Sequence, residues 1–193
     1  MDKRHFLSAL AAAGALPSLA NATPKSARGP ALLTITGAIA KPNRPAFDPV
    51  IDQMMHKQKL SFDKAFAFDF AALSALPAIT IKPVLEYDQK QHTLSGPLLA
   101  DVLKAAGAPP DGSTRLTLRA VDGYAVAITV AQAQAQRFIV ATHIDGAAMA
   151  LGGLGPLWAV YEPERIPEMA KRPLAERFGS CPWALYHIDV QTA

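Results

Sequence analysis

The sequence predicts an α+β fold dominated by strands: a mainly β, mixed-sheet or barrel-like core with a few short helices. Three observations carry this. Short apolar runs with strand character recur from residue 31 to residue 190, seven or so in number. Only one stretch, around Leu98 to Ala106, has a clear helical stripe. The helices are too few and too brief for a doubly wound parallel sheet, and no internal repeat is visible.

Taken in chain order, Ala31 to Thr36 reads as a strand ending at Gly37, and Pro42, Asn43, Pro45 and Pro49 mark an irregular loop. Val50, Ile51, Met54 and Met55 suit a short helix that packs both methionines into the core. Phe66, Phe68 and Phe70 alternate, so Ala65 to Asp69 is a strand, followed by a helical turn that Pro77 ends. Ile79 to Ile81 resumes as strand. The stripe Leu98, Leu99, Val102, Leu103, Ala106 gives a helix with Ser95 as cap, Pro97 in the first turn and Gly107 as stop. Leu116, Leu118 and Ala120 alternate with Arg115, Thr117 and Arg119, the pattern of a strand with one wet face. Asp122-Gly123-Tyr124 turns the chain into a second strand, Ala125 to Val130. Phe138 to Ala141, Leu157 to Tyr161 and Ala184 to Val190 complete the strands.

Residues 1 to 22 have the basic start, short apolar middle and Ala20-Asn21-Ala22 end of a secretory signal, which predicts export. Lys3-Arg4-His5-Phe6-Leu7 also resembles a twin-arginine signal with lysine for the first arginine; the ordinary signal remains open beside it. Residues 23 to 30 read as a flexible lead-in, and 31 to 193 as one domain. Of the 193 residues, 50% are hydrophobic and 18% charged, which excludes intrinsic disorder. Without the signal the net charge is near +2, and no Lys/Arg cluster stands out, so nucleic-acid binding is set aside. No apolar run after the signal is long enough to span a bilayer. The lone cysteine, Cys181, excludes an internal disulfide and a Cys-rich metal site.

Common nucleotide, hydrolase and zinc-protease motifs are absent, and His56, His92, His143 and His187 have no metal-like spacing. Gly152-Gly153-Leu154-Gly155 precedes a strand and reads as a loop in close backbone contact with something else. Two turns are richer. Asp122-Gly123-Tyr124 puts a carboxylate and a phenol at a strand end, and Gly179-Ser180-Cys181-Pro182-Trp183 puts a hydroxyl, a thiol and an indole before the last strand.

Six segments, in order and spacing, resemble the sulfite-oxidase-type molybdopterin-binding domain: Leu33 to Ile39, Leu73 to Pro77, Leu94 to Leu103, Ala120 to Tyr124, Gly155 to Tyr161 and Trp183 to Val190. The resemblance implies that family's mixed α+β fold. It also implies a cysteine after an early strand to hold molybdenum, but Ile79 to Leu85 contains none and Cys181 lies elsewhere. Where such enzymes tend to carry an arginine after the Gly-x-Pro turn, this chain has Trp158.

The resemblance therefore implies a cysteine-lacking periplasmic branch that binds a pterin without catalysis. Its ligand state would be read by the periplasmic domain of a membrane-bound cyclic-di-GMP enzyme. The alternative it leaves open is a molybdopterin-dependent oxidoreductase with atypical metal ligation. A pterin, as in a tetrahydropterin, needs a stacking ring and polar groups along its edge. Tyr124, Trp158 and Trp183 are the stacking expectations; Asp122, Asp145, Arg177 and Ser180 are the edge expectations. Asp122 could instead close its own turn.

Overall fold

The computed structural model describes residues 29–192. The signal and nearly all of the lead-in expected from the sequence lie outside the described residues; Gly29 donates its N–H to Asp69 at 2.8 Å.

The largest sheet combines β1 (Leu33–Gly37), β2 (Ala65–Phe68), β5 (Arg115–Ala120), β6 (Ala125–Thr129) and β11 (Leu185–Gln191). Its order is β2-β1-β11-β5-β6, with β1 parallel to β11 and every other pair antiparallel. A second sheet contains β3 (Ala78–Ile81), β4 (Leu94–Pro97), β8 (His143–Ile144) and β9 (Ala147–Ala148) in the order β3-β4-β8-β9. β7 (Ile139–Ala141) pairs with β10 (Trp158–Val160), and a bridge from Leu98 to Ile139 joins this pair to the end of β4. The mixed, strand-rich α+β architecture is the one the sequence predicts.

The period-two reading of β5 holds in detail: Leu116, Leu118 and Ala120 are buried while Arg115 is exposed. Leu116 and Leu118 join Leu33, Ile35, Ile188 and Val190 in the main core. The apolar face of α3 (Leu99–Ala106) adds Leu99, Val102, Leu103 and Ala106, each large side chain contributing about 1.5–3 kcal/mol of burial. Gly107 ends α3 in a left-handed conformation, φ +76°, that a side chain would resist. Ser95 and Pro97 do not start this helix. They lie in β4, paired with Thr80 and Ala78, and Leu98 occupies the cap position without a side-chain cap.

Other expectations also shift. α1 (Gln53–Lys57) is shorter than expected; Met55 is buried, but Met54, Val50 and Ile51 are exposed. α2 (Phe70–Ser74) occupies the anticipated turn, started by the Asp69 side chain, which accepts from the N–H of Ala72. An unanticipated helix, α4 (Val130–Ala135), follows β6, with the Thr129 hydroxyl accepting from Gln132. A last short helix, α5 (Pro167–Ala170), lies between β10 and β11.

Candidate functional site

Three connecting segments meet at one end of the large sheet and enclose a cleft of about 250 Å³. The turn between β5 and β6 brings Asp122 and Tyr124, the segment before β11 brings Phe178 to Trp183, and the loop after β3 brings Glu86 and Tyr87. Tyr87 and Trp183 also line a neighbouring apolar hollow of about 550 Å³, walled by Val121, Leu151 and Leu154. The two hollows thus share an aromatic boundary. Neither has a lysine or arginine in its lining.

Each wall is fixed by identifiable bonds. The Asp122 carboxylate accepts from the Tyr124 backbone N–H at 2.8 Å, closing its own turn. The Tyr124 hydroxyl donates to the Gly179 carbonyl at 2.5 Å, pinning the ring across to the segment before β11. The loop carrying Glu86 and Tyr87 is a narrow hairpin, with Val84 bridged to Gln91 and Leu85 bonded to Lys90. His92 at its base contacts Asp145 at 2.7 Å and Asp88 at 3.0 Å. The His92 pKa is raised by hydrogen bonding to Asp145 first and Asp88 second, so the imidazolium is favoured between two carboxylates.

Of the seven residues singled out by sequence, the structure brings Asp122, Tyr124 and Trp183 together in the cleft. The other four are placed differently. Trp158 is buried, 1% exposed, against Phe178, and its indole donates to the Cys181 carbonyl at 2.9 Å, so its ring offers no face to a ligand. Asp145 is committed to His92 and to the Thr93 N–H at 2.9 Å, which ties the Glu86–Tyr87 loop to the β8–β9 turn. Arg177 donates to the carbonyls of Arg172 and Ala170 and reaches Glu164 at 3.3 Å, clamping the segment that includes α5. Ser180 stands beside Tyr161 and Cys181. Burial pushes the pKa of both up to about 12, an effect that hydrogen bonding to Ser180 partly offsets.

Sequence reasoning did not select Glu86 and Tyr87. Tyr87 is 57% exposed in the polar run Glu86 to Lys90, and an aromatic stranded among charges was the available signal. The Gly-rich loop does make the anticipated close contact: a Cβ at Gly155 would sit 2.4 Å from that of Met149. A third hollow, about 500 Å³, lies beside α1 around the Arg44–Asp52 ion pair and contains none of the seven residues. Among the described residues no helix is long and apolar enough to cross a membrane.

This architecture is a sulfite-oxidase-type fold with an aromatic cleft at one end of its main sheet. Among solved structures the chain is similar to the crystal structure of the sulfane dehydrogenase SoxCD from Paracoccus pantotrophus, with a TM-score of 0.53 at 14% identity. The match covers 82% of this chain but 37% of that one, so the chain spans little more than a third of its neighbour. No protein-family model and no curated protein matches the sequence.

Proposed function

We propose that this protein binds a pterin in the cleft bounded by Tyr87, Tyr124 and Trp183 and acts as a non-enzymatic ligand carrier or sensor. One observation carries the reading: four aromatic side chains (Tyr87, Tyr124, Phe178 and Trp183) and two carboxylates, without a cation, line a single cleft of about 250 Å³ beside a larger apolar hollow. Such a lining suits a flat, uncharged heteroaromatic whose faces stack and whose N–H groups find acceptors. In this reading the protein works in the periplasm and passes its ligand state to the periplasmic domain of a membrane-bound cyclic-di-GMP enzyme. The signal-like N-terminus and the resemblance of its six segments support that placement.

A second reading, a molybdopterin-dependent oxidoreductase, draws on the structural likeness to a dehydrogenase. The residues present do not fit that group. The only cysteine is buried, with its thiol pKa pushed up to about 12, so a metal-binding thiolate is strongly disfavoured. The cleft also offers no side-chain cation to a phosphate.

Calorimetry of the purified protein with a tetrahydropterin tests the first reading. Heat of binding, with quenching of Trp183 fluorescence that is lost in Trp183→Phe, is expected. No heat and no co-purifying pterin overturn it, as does near-stoichiometric molybdenum in the natively purified protein. Co-purification of the membrane enzyme with the pterin-loaded but not the empty protein tests the relay.

A further inference from the structure

The cleft contains two carboxylates, and the structure treats them differently. Asp122 is occupied by its own turn, accepting the Tyr124 N–H at 2.8 Å. Glu86 is half-buried and takes part in none of the ion pairs among the described residues. Its neighbours are weak acids. The Tyr87 phenol pKa is raised by burial first, then by the Glu86 charge and by a side-chain hydrogen bond to Glu86, and the same charge adds to the burial that raises Cys181. Beyond that bond the Glu86 carboxylate keeps free acceptor positions between the Tyr87 wall and the Cys181 floor, in a cleft whose lining holds no lysine or arginine.

The geometry points to Glu86 as the specificity-determining residue of the cleft, recognising a ring edge that presents two adjacent N–H donors. This rests on the pterin reading above and narrows it. A carboxylate takes such an edge as it takes a guanidinium, through two parallel N–H···O bonds. In a pterin that edge is the 2-amino group with N3–H. The corresponding lumazine carries a carbonyl at position 2, which sets acceptor against acceptor. Tyr87 and Trp183 border both hollows, so a ring laid against them with this edge at Glu86 sends its opposite, substituted end toward Leu151 and Leu154. Those neighbours favour a short, uncharged substituent over a phosphorylated one.

The test compares the full-length mature protein with Glu86→Gln and Asp122→Asn, titrating each with a tetrahydropterin and its 2-oxo lumazine analogue at pH 7. Circular dichroism and thermal melting check that each variant folds. The wild type is expected to prefer the pterin by about tenfold to a hundredfold, the range for a charge-assisted pair. Glu86→Gln should bring the two rings within about threefold of each other, by weakening the pterin and improving the lumazine, since the amide can donate to the new carbonyl. Asp122→Asn should keep the preference. A preference retained in Glu86→Gln, lost instead in Asp122→Asn, or absent from a wild type that binds pterin, overturns the assignment alone. Binding of neither ring overturns the pterin reading and the assignment with it.

Discussion

Trp158 and Trp183 are joined by an antiparallel backbone bridge and yet live in opposite environments. Trp158 is 1% exposed, with its N–H spent on Cys181 and its ring against Phe178; Trp183 is 38% exposed at the boundary of two hollows. One indole builds the wall and the other faces out of it. Ring chemistry alone therefore does not mark a binding residue. What marks it is the stretch of aromatic surface left over once packing and hydrogen bonding are satisfied.

Deleting each ring in turn separates the two roles most strongly. Trp158→Ala should destabilise the protein by about 3–5 kcal/mol in urea denaturation, because it empties a packed site and leaves the Cys181 carbonyl without its donor. Trp183→Ala should change stability by less than about 1 kcal/mol while abolishing pterin binding. Equal stability losses for the two would show that Trp183 is also a packing residue.

A second test extends the contrast to a polar group inside the fold. His187 is buried, and the Thr36 hydroxyl, which donates to Asp189 at 3.0 Å, accepts from its Nε2 at 2.9 Å. Its Nδ1 has no partner among the described residues. Burial lowers its pKa to about 4, with Arg119 and Arg44 adding to the effect and Asp189 opposing it. A histidine whose folded pKa lies below its unfolded value of about 6.5 favours folding in full above pH 6.5. That contribution, about 3 kcal/mol, is lost as pH falls from about 6.5 to 4. Stability measured across that window should lose the corresponding part of its slope in His187→Gln. An unchanged slope would mean that other groups carry the acid response.

The smallest expected effect concerns the cleft's own scaffolding. Tyr124→Phe removes the bond to the Gly179 carbonyl and should cost about 0.5–1.5 kcal/mol of stability in thermal or urea unfolding. Because the ring remains, pterin affinity should fall by less than about threefold. A larger loss of affinity would move the hydroxyl from scaffold to ligand contact.

How much of this was legible in the sequence depended on whether a pattern was local. The alternation of Leu116, Leu118 and Ala120 and the stripe of α3 declare themselves because one buried face imposes a period. Ser95 and Pro97 carried a cap-like signal that lost to pairing with β3, a contact between segments the local pattern does not reveal. β8 and β9 are two residues each, too short to show a period, and α4 hid in a run of Ala and Gln after Thr129. Within the cleft, Tyr124 and Trp183 stood out as aromatics beside turns. Trp158 was singled out instead by the resemblance, as the residue after the Gly-x-Pro turn, and its burial against Phe178 with the indole bonded to Cys181 removes it from the cleft. Glu86 and Tyr87 depend on a hairpin whose position is set from outside, through His92 and Asp145.

β11 occupies the centre of the main sheet, between β1 and β5, although it follows both in the chain. β1 and β5 do not pair with each other, so during synthesis neither has its shared neighbour until residues 185–191 have emerged. The closing contact joins Thr34 to His187 across most of the described chain, a loop whose entropy must be met before any of its pairing is gained. The sheet is thus completed late, when β11 joins the β2-β1 pair to the β5-β6 pair, and a nascent chain stopped before β11 would leave one edge each of β1 and β5 unpaired. Trp183 is delivered just ahead of that strand, so the aromatic cleft and the finished sheet come into being in the same event.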